Sequence, residues 1–277
     1  MRKQAEMNGQ RGERCAMSGS ENVLNVDFQQ NIRKDIKDIV QSGERIDDLQ
    51  LNGLIIIQNP EAFCFGSDAV LLAHFAKVNR DDKVVDLGTG SGVIPIMLSG
   101  LTQARELVGF ELQQNMVDMA RRSVELNGLA SRVKIEQRDI RDELPRDEIG
   151  YADCVVCNPP YYKIDASLQS NNIAQAIARY EVAGRLEEFV QYAGRIVKNG
   201  GRVAFVHRSE RLLELSDILR KHALEPKRIQ LVQSTPQKPP HLVLVESIKL
   251  AKPGLRFLPN LILNANHEEN EQSEIDS

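Results

Sequence analysis

No stretch of this chain approaches the roughly 18 consecutive apolar residues of a membrane-crossing helix. The polar start Met1-Arg2-Lys3-Gln4 is not followed by the apolar core of a secretory leader. Both absences predict a cytoplasmic protein that does not engage a membrane. Cysteine is scarce, four in 277 residues, too few for a disulfide framework and in keeping with a reducing compartment. Cys154 and Cys157 have the spacing of a metal or redox pair, but no second ligand pair accompanies them, and residues three apart in a strand point to opposite faces. They read as buried packing, and no metal site is expected. Internal repeats are also lacking.

What is present is ample apolar material, 42% of the chain, enough for a large buried core. The net charge of -4 argues against nucleic acid until it is mapped along the chain. Residues 202 to 256 hold eleven Lys and Arg against five acids, while Glu268, Glu269, Glu271, Glu274 and Asp276 crowd the end. The acidic tail thus masks a basic region, which is either a solvated face or a surface for a polyanion. Residues 1 to 20 lack periodicity and read as disordered. Phe28, Ile32, Ile36, Ile39 and Val40 recur at helical spacing, so residues 27 to 41 read as an amphipathic helix. The expected organisation is an extension over 1–43, one domain over 44–259 and a disordered tail over 260–277.

Within that domain strand and helix patterns alternate, as in a doubly wound α/β sheet. Strands are expected at Lys83 to Leu87, Leu107 to Glu111, Val133 to Gln137, Asp153 to Cys157, Arg202 to His207, Arg228 to Gln233 and His241 to Lys249. Helices fall at Val93 to Leu101, Gln113 to Asn127, Leu186 to Val197, ended by Asn199-Gly200-Gly201, and Glu210 to His222 behind a Ser209 N-cap. The last two strands are joined by a loop too short for a helical crossover and should pair antiparallel.

Three motifs carry the chemistry. Asp86-Leu87-Gly88-Thr89-Gly90-Ser91-Gly92 follows the first strand and opens the first helix, where glycines permit a tight turn and close approach of a ligand. Pro95 and the absent third glycine of a dinucleotide fingerprint set Gly88, Gly90 and Gly92 apart from an ordinary nucleotide loop. Glu111 ends the second strand 19 residues after Gly92, where a carboxylate can accept both hydroxyls of a ribose. Asn158-Pro159-Pro160-Tyr161 ends the fourth strand. Its two prolines fix φ, lack N–H groups and present carbonyls, and Tyr161 offers a flat face. In a doubly wound order the first and fourth strands meet where the winding reverses, so the loop and the tetrapeptide converge on one crevice.

With these motifs in this order the chain resembles the class I, Rossmann-like, S-adenosylmethionine-dependent amino-group N-methyltransferases, which share a seven-stranded, mostly parallel sheet with an antiparallel last hairpin. Phe65-Gly66-Ser67-Asp68-Ala69-Val70-Leu71-Leu72, Ala178-Arg179-Tyr180-Glu181 and His207-Arg208-Ser209-Glu210-Arg211-Leu212 narrow the resemblance. They are similar to the bacterial tRNA adenine-N6 methyltransferases that modify adenosine 37 of a valine tRNA, over about Glu44 to Pro259. The chain departs from that pattern at Tyr180, where His is frequent, and in its two ends.

The resemblance implies S-adenosyl-L-methionine as cofactor, held by Asp86, the glycine loop and Glu111, with Asp139 on the adenine amino group and Ile140 beside the ring. Either carboxylate could instead be a helix N-cap. Ser67 or Asp68 would contact the amino-acid end as Phe65 to Asp68 closes over it. Asn158, itself also at the cofactor, and the Pro159 carbonyl would accept the two hydrogens of an adenine N6. The base would stack beside Pro160 on Tyr161, worth about 1–3 kcal/mol. Arg208, Arg211 and the basic region would hold tRNA near its anticodon-loop adenine. A base is not required at the first step, so His207 is given no catalytic role. The alternatives are a protein glutamine N5-methyltransferase, which needs a helical substrate domain that the roughly 40 polar residues ahead of the match do not supply, and a non-catalytic binding module.

Overall fold

The computed structural model describes residues 39–60, 64–161 and 184–264. The expected helix over 27–41 falls almost wholly outside these residues, as do Ala178-Arg179-Tyr180-Glu181 and most of the acidic tail. A hairpin of β1 (Arg45–Asp48) and β2 (Ile55–Gln58) leads into α1 (Ser67–Phe75). Then follow β3 (Lys83–Leu87), α2 (Val93–Leu101), β4 (Glu106–Glu111), α3 (Gln114–Leu126), β5 (Val133–Gln137) and β6 (Ala152–Cys157). The remainder is α4 (Leu186–Ile196), β7 (Val197–Arg208), α5 (Leu212–Lys221), β8 (Leu224–Gln233), β9 (Leu242–Lys249) and the short β10 (Arg256–Phe257) and β11 (Leu261–Ile262).

The main sheet runs β10-β8-β9-β7-β6-β3-β4-β5, with β11 also on β8. Strands β3 to β7 are parallel, and β9 lies antiparallel to both β7 and β8. The seven expected strands therefore form the expected Rossmann-like α/β arrangement, and β10 and β11 add themselves to the outer edge of β8. Cys154 lies in the core under α1 to α3, and Cys157 in the core under α4 and α5. Burial pushes the Cys154 thiol up to about 12 and raises Cys157 as well, so both stay neutral packing groups.

Local chemistry explains most boundaries. In α2, Val93 through Ser99 are all buried, as an apolar helix sealed between the sheet and its neighbours must be. Pro95 sits in its first turn, where a backbone N–H would lack an intrahelical acceptor. Two expectations are corrected. Ser209 does not cap a helix: its hydroxyl donates to Pro240 O (2.6 Å), residues Ser209–Arg211 form a 3-10 turn, and α5 starts only at Leu212. Asn199-Gly200-Gly201 does not simply end α4: β7 already begins at Val197, and its pairing with β6 is bulged between Ala152 and Cys154.

The β1–β2 hairpin was not foreseen. Its outer backbone is received by helix side chains: Asn127 accepts from Ile55 N (2.9 Å) and donates to Ile55 O (2.7 Å), and Ser123 Oγ accepts from Ile57 N (3.0 Å). Arg122 grips Glu44 with two hydrogen bonds (2.6 and 2.7 Å). Such long-range acceptors leave no periodic signal in the sequence. Among the described residues no helix is long and apolar enough to cross a membrane.

Candidate active site

Leu87 of β3 and Cys157 of β6 are register partners in adjacent parallel strands. The glycine loop and Asn158 consequently leave the sheet side by side, as the topology predicts. Gly88, Gly90 and Gly92 have φ of 73°, 57° and 84°, in the left-handed region that glycine enters without a Cβ clash. Gly88 N and Thr89 N both donate to Phe110 O (2.9 Å each), which folds the loop back onto β4. That fold is possible because Gly109 lacks a side chain: a Cβ there would lie 2.8 Å from Thr89.

Glu111 stands at the end of β4, buried. Its Oε2 accepts from Gly90 N and its Oε1 from Gln113 N, both at 2.9 Å. Each oxygen keeps a second lone pair for a ligand hydroxyl. Asp86 is 2% exposed, and among the described residues its carboxylate oxygens have no well-aligned hydrogen-bond partner; the Thr89 hydroxyl approaches them without completing a good bond. Burial first, then the Glu111 charge, raises the Asp86 carboxyl to about 7, an effect the nearby Thr89 hydroxyl offsets only in part. Buried oxygens lacking a well-aligned partner beside an open glycine loop are what a cationic, donor-bearing ligand would satisfy.

Asp139 is half-buried and turned onto its own neighbour. It accepts from Arg141 N (2.9 Å) and pairs with the Arg141 guanidinium (2.6 Å), which holds its carboxyl below the usual range. It closes a turn and caps no α-helix. Ile140 packs against the core beside α4, with Phe189 reaching under Gly88. Ser67 and Asp68 open α1.

Beyond the end of β6, the Tyr161 hydroxyl donates to Asn158 Oδ1 (2.5 Å). Burial and the neighbouring Asp68 carboxylate push the Tyr161 pKa far up, so this donor stays protonated. Asp68, Asn158 and Tyr161 are thereby brought together, with Pro159 buried and Pro160 half-buried between them. The Tyr161 ring meets His207 edge-on at 5.1 Å between centroids, and the Arg208 guanidinium lies over it at 5.7 Å. His207 is fully buried, its Nδ1 accepts from Arg208 N (2.9 Å), and burial together with Arg211 lowers its pKa to about 4. It is a neutral wall behind Tyr161.

Two readings of charge are corrected. Arg211 is buried and paired with Glu214, its Nη1 3.5 Å from His207 Nε2, so its guanidinium faces inward and not towards a substrate. The basic excess of residues 202 to 256 is not one open face. Arg202 pairs with Asp82, Arg220 with Glu225, Lys221 with Glu187 and Arg228 with Glu246. One residue passed over in the sequence matters: buried Gln58 accepts from Phe65 N (2.9 Å) and donates to Asp47, so the hairpin holds the start of the Phe65–Asp68 segment. Its only trace was a polar residue ending the apolar run Ile55-Ile56-Ile57.

A doubly wound sheet in this strand order, with a glycine loop after β3, a carboxylate ending β4 and Asn-Pro-Pro-Tyr after β6, defines a class I methyltransferase. The chain belongs to the methyltransferase small domain family, whose model matches residues 63–226. It is 30% identical over 190 residues to a tRNA1(Val) (adenine(37)-N6)-methyltransferase of Parabacteroides distasonis, covering 68% of this chain and 78% of that one. A protein of the same name from Pasteurella multocida is 27% identical, with 65% and 81% covered. The fold also matches the crystal structure of a predicted O-methyltransferase from Agrobacterium tumefaciens, with a TM-score of 0.58, 23% identity and coverage of 73% and 90%.

Proposed function

We propose that this enzyme transfers the methyl group of S-adenosyl-L-methionine to the exocyclic N6 of an adenine in cytoplasmic tRNA, at adenosine 37 of a valine tRNA. The carrying observation is the Leu87–Cys157 register, which sets the glycine loop beside Asn158. S-adenosyl-L-methionine, when bound, supplies an electrophilic methyl on a sulfonium. The remaining lone pairs of Glu111 accept the ribose hydroxyls. Asp139 takes the adenine amino group with Ile140 beside the ring, and Ser67 or Asp68 meets the amino-acid end. With a carboxyl raised to about 7 by burial, Asp86 would be drawn into its charged form beside a positively charged donor.

An exocyclic amino nitrogen conjugated with a ring is a poor nucleophile. Asn158 Oδ1 and the Pro159 carbonyl accept its two hydrogens and turn its lone pair out of the ring plane towards the methyl. Tyr161 holds Asn158 Oδ1 in place through its hydroxyl and supplies the face on which the flipped adenine stacks beside Pro160, displacing Arg208 towards the flanking backbone. With Nδ1 already accepting and a pKa near 4, His207 takes no proton, and N6 loses its proton to water after transfer.

The test is incubation with labelled S-adenosyl-L-methionine and bulk tRNA lacking the modification, followed by digestion to nucleosides. Labelled N6-methyladenosine is expected. Label in protein glutamine, or in no product, overturns the reading.

A further inference from the structure

The β8–β9 link, Ser234 to Pro240, contains Pro236, Pro239 and Pro240. Prolines fix φ and remove N–H groups, which leaves such a loop with more carbonyls than donors. Here side chains from outside the loop take those carbonyls. Gln233 Nε2 donates to Lys238 O (2.7 Å) and Ser209 Oγ donates to Pro240 O (2.6 Å), while the Ser209 backbone N–H donates to His241 O (3.2 Å) just past the loop's end. Gln233 is buried, and its Oε1 accepts from Asn260 Nδ2 (2.7 Å), so the segment around β11 braces it from behind. Pro236 through Pro239 stand exposed on this base.

The loop is joined directly to the acceptor pocket. Ser209 follows Arg208, whose guanidinium lies over the Tyr161 ring. The charge inventory points to the same place. Five of the eleven cations in residues 202 to 256 are in ion pairs with acids, and Lys227 and Lys249 donate to the carbonyls of Lys252 and Val197. Lys252 and Arg256 lie beyond the end of β9 and on the outer edge of β8. Arg208 and Lys238 are exposed at the end of the sheet that carries Asn158, and neither makes an ion pair among the described residues.

Resting on the tRNA reading above, we propose that Ser234–Pro240 is a preorganised shelf for the RNA strand beside the target adenine. Lys238 and Arg208 grip phosphates on it, and Gln233 acts as the positioning residue that presents Lys238. A loop already held by side chains needs little ordering on binding, so its contact is retained as affinity. Single-stranded RNA suits the shelf because it offers phosphates on both sides of a splayed base.

The test compares Lys238→Gln, Lys238→Arg, Gln233→Leu and the double variant Lys238→Gln/Gln233→Leu on tRNA lacking the modification, at several salt concentrations. Losing one phosphate contact should raise KM for tRNA about threefold at low salt and reduce the salt slope by about one, while Lys238→Arg behaves as wild type. Gln233→Leu should reproduce the Lys238→Gln effect and add nothing in the double variant, which a merely structural role would not do. Cofactor affinity and kcat at saturating tRNA should hold. An unchanged KM and salt slope on a tRNA that wild type methylates overturns the shelf and leaves the activity standing, as does equal loss of cofactor binding in Gln233→Leu. Failure of wild type to methylate any tRNA, or methylation of a glutamine peptide instead, overturns both.

Discussion

The halves of the crevice proposed for the methyl donor and its acceptor are built by different means. On the donor side, the ends of β3 and β4, backbone sets the geometry: three glycines at positive φ, two N–H groups on Phe110 O, and two more on the Glu111 carboxylate. On the acceptor side, the ends of β6 and β7, side chains from separate elements set it: Tyr161 on Asn158, with Asp68, His207 and Arg208 around the ring. A backbone site is local in sequence and tolerates few substitutions anywhere along it. A side-chain site is assembled across the fold, and each member can be removed separately.

The sharpest way to break this contrast is Asn158→Ala. Loss of one preorganised hydrogen-bonding group at a reacting atom costs roughly 100- to 1,000-fold in rate, and the upper end is expected here because Asn158 also holds the Tyr161 hydroxyl. Single-turnover transfer measures the rate and calorimetry the cofactor affinity. If cofactor binding rests on the glycine loop and Glu111, as proposed, the affinity should stay within about threefold of wild type. Equal loss of both would mean that the halves are one unit.

Gly109→Val probes the donor side where it is least forgiving, since even a Cβ would collide with Thr89 at 2.8 Å. Overpacking of this kind costs up to about 3 kcal/mol. Because Thr89 belongs to the glycine loop, cofactor affinity should fall along with stability, whereas Asn158→Ala, which removes the acceptor of the buried Tyr161 hydroxyl, should cost about 1–3 kcal/mol of stability and leave cofactor affinity near wild type. A Gly109→Val enzyme with normal cofactor affinity would show that the loop is held independently of β4.

Asp86 gives a pH signature confined to the donor side. Its folded pKa of about 7 exceeds its ordinary value of 3.8, so its contribution to stability is complete below about pH 4 and is lost as pH rises through 7. Between pH 5 and 7 that amounts to about 2 kcal/mol at roughly 1.4 kcal/mol per pH unit. Buried His207, lowered to about 4, gains stability as pH rises over the same window, so denaturant melts should show wild type falling by about 2 kcal/mol relative to Asp86→Asn, whose own profile rises. Equal slopes in both proteins would remove Asp86 as the buried acid responsible.

The same contrast governs what could be read in advance. The bounds of β3, β5 and α2 coincide with the sequence pattern, because hydrophobic period and glycine placement are local signals. The glycine loop, Glu111 and Asn158-Pro159-Pro160-Tyr161 were legible for that reason. The β1–β2 hairpin, the Gln58 link to Phe65 and the inward turn of Arg211 were not, since their partners lie on other elements or are chosen by tertiary packing. Counting charge along the chain misjudged the basic region for the same cause: Asp82 and Glu187, outside the counted segment, neutralise Arg202 and Lys221.

The smallest effect is expected at Asp139, the donor-side residue that departs from backbone control. Its carboxylate is engaged by Arg141, a partly exposed pair worth at most about 1 kcal/mol. If Asp139 accepts the adenine amino group, Arg141 competes for the same oxygens. Arg141→Ala should then tighten cofactor binding by up to about threefold, while Asp139→Ala loosens it by about tenfold, the worth of one hydrogen bond to a charged group. Opposite signs in calorimetry would mark Asp139 as a ligand whose neighbour restrains it. Equal weakening in both variants would mean that the pair only braces the turn carrying Ile140, and that the adenine end is held by apolar contact alone.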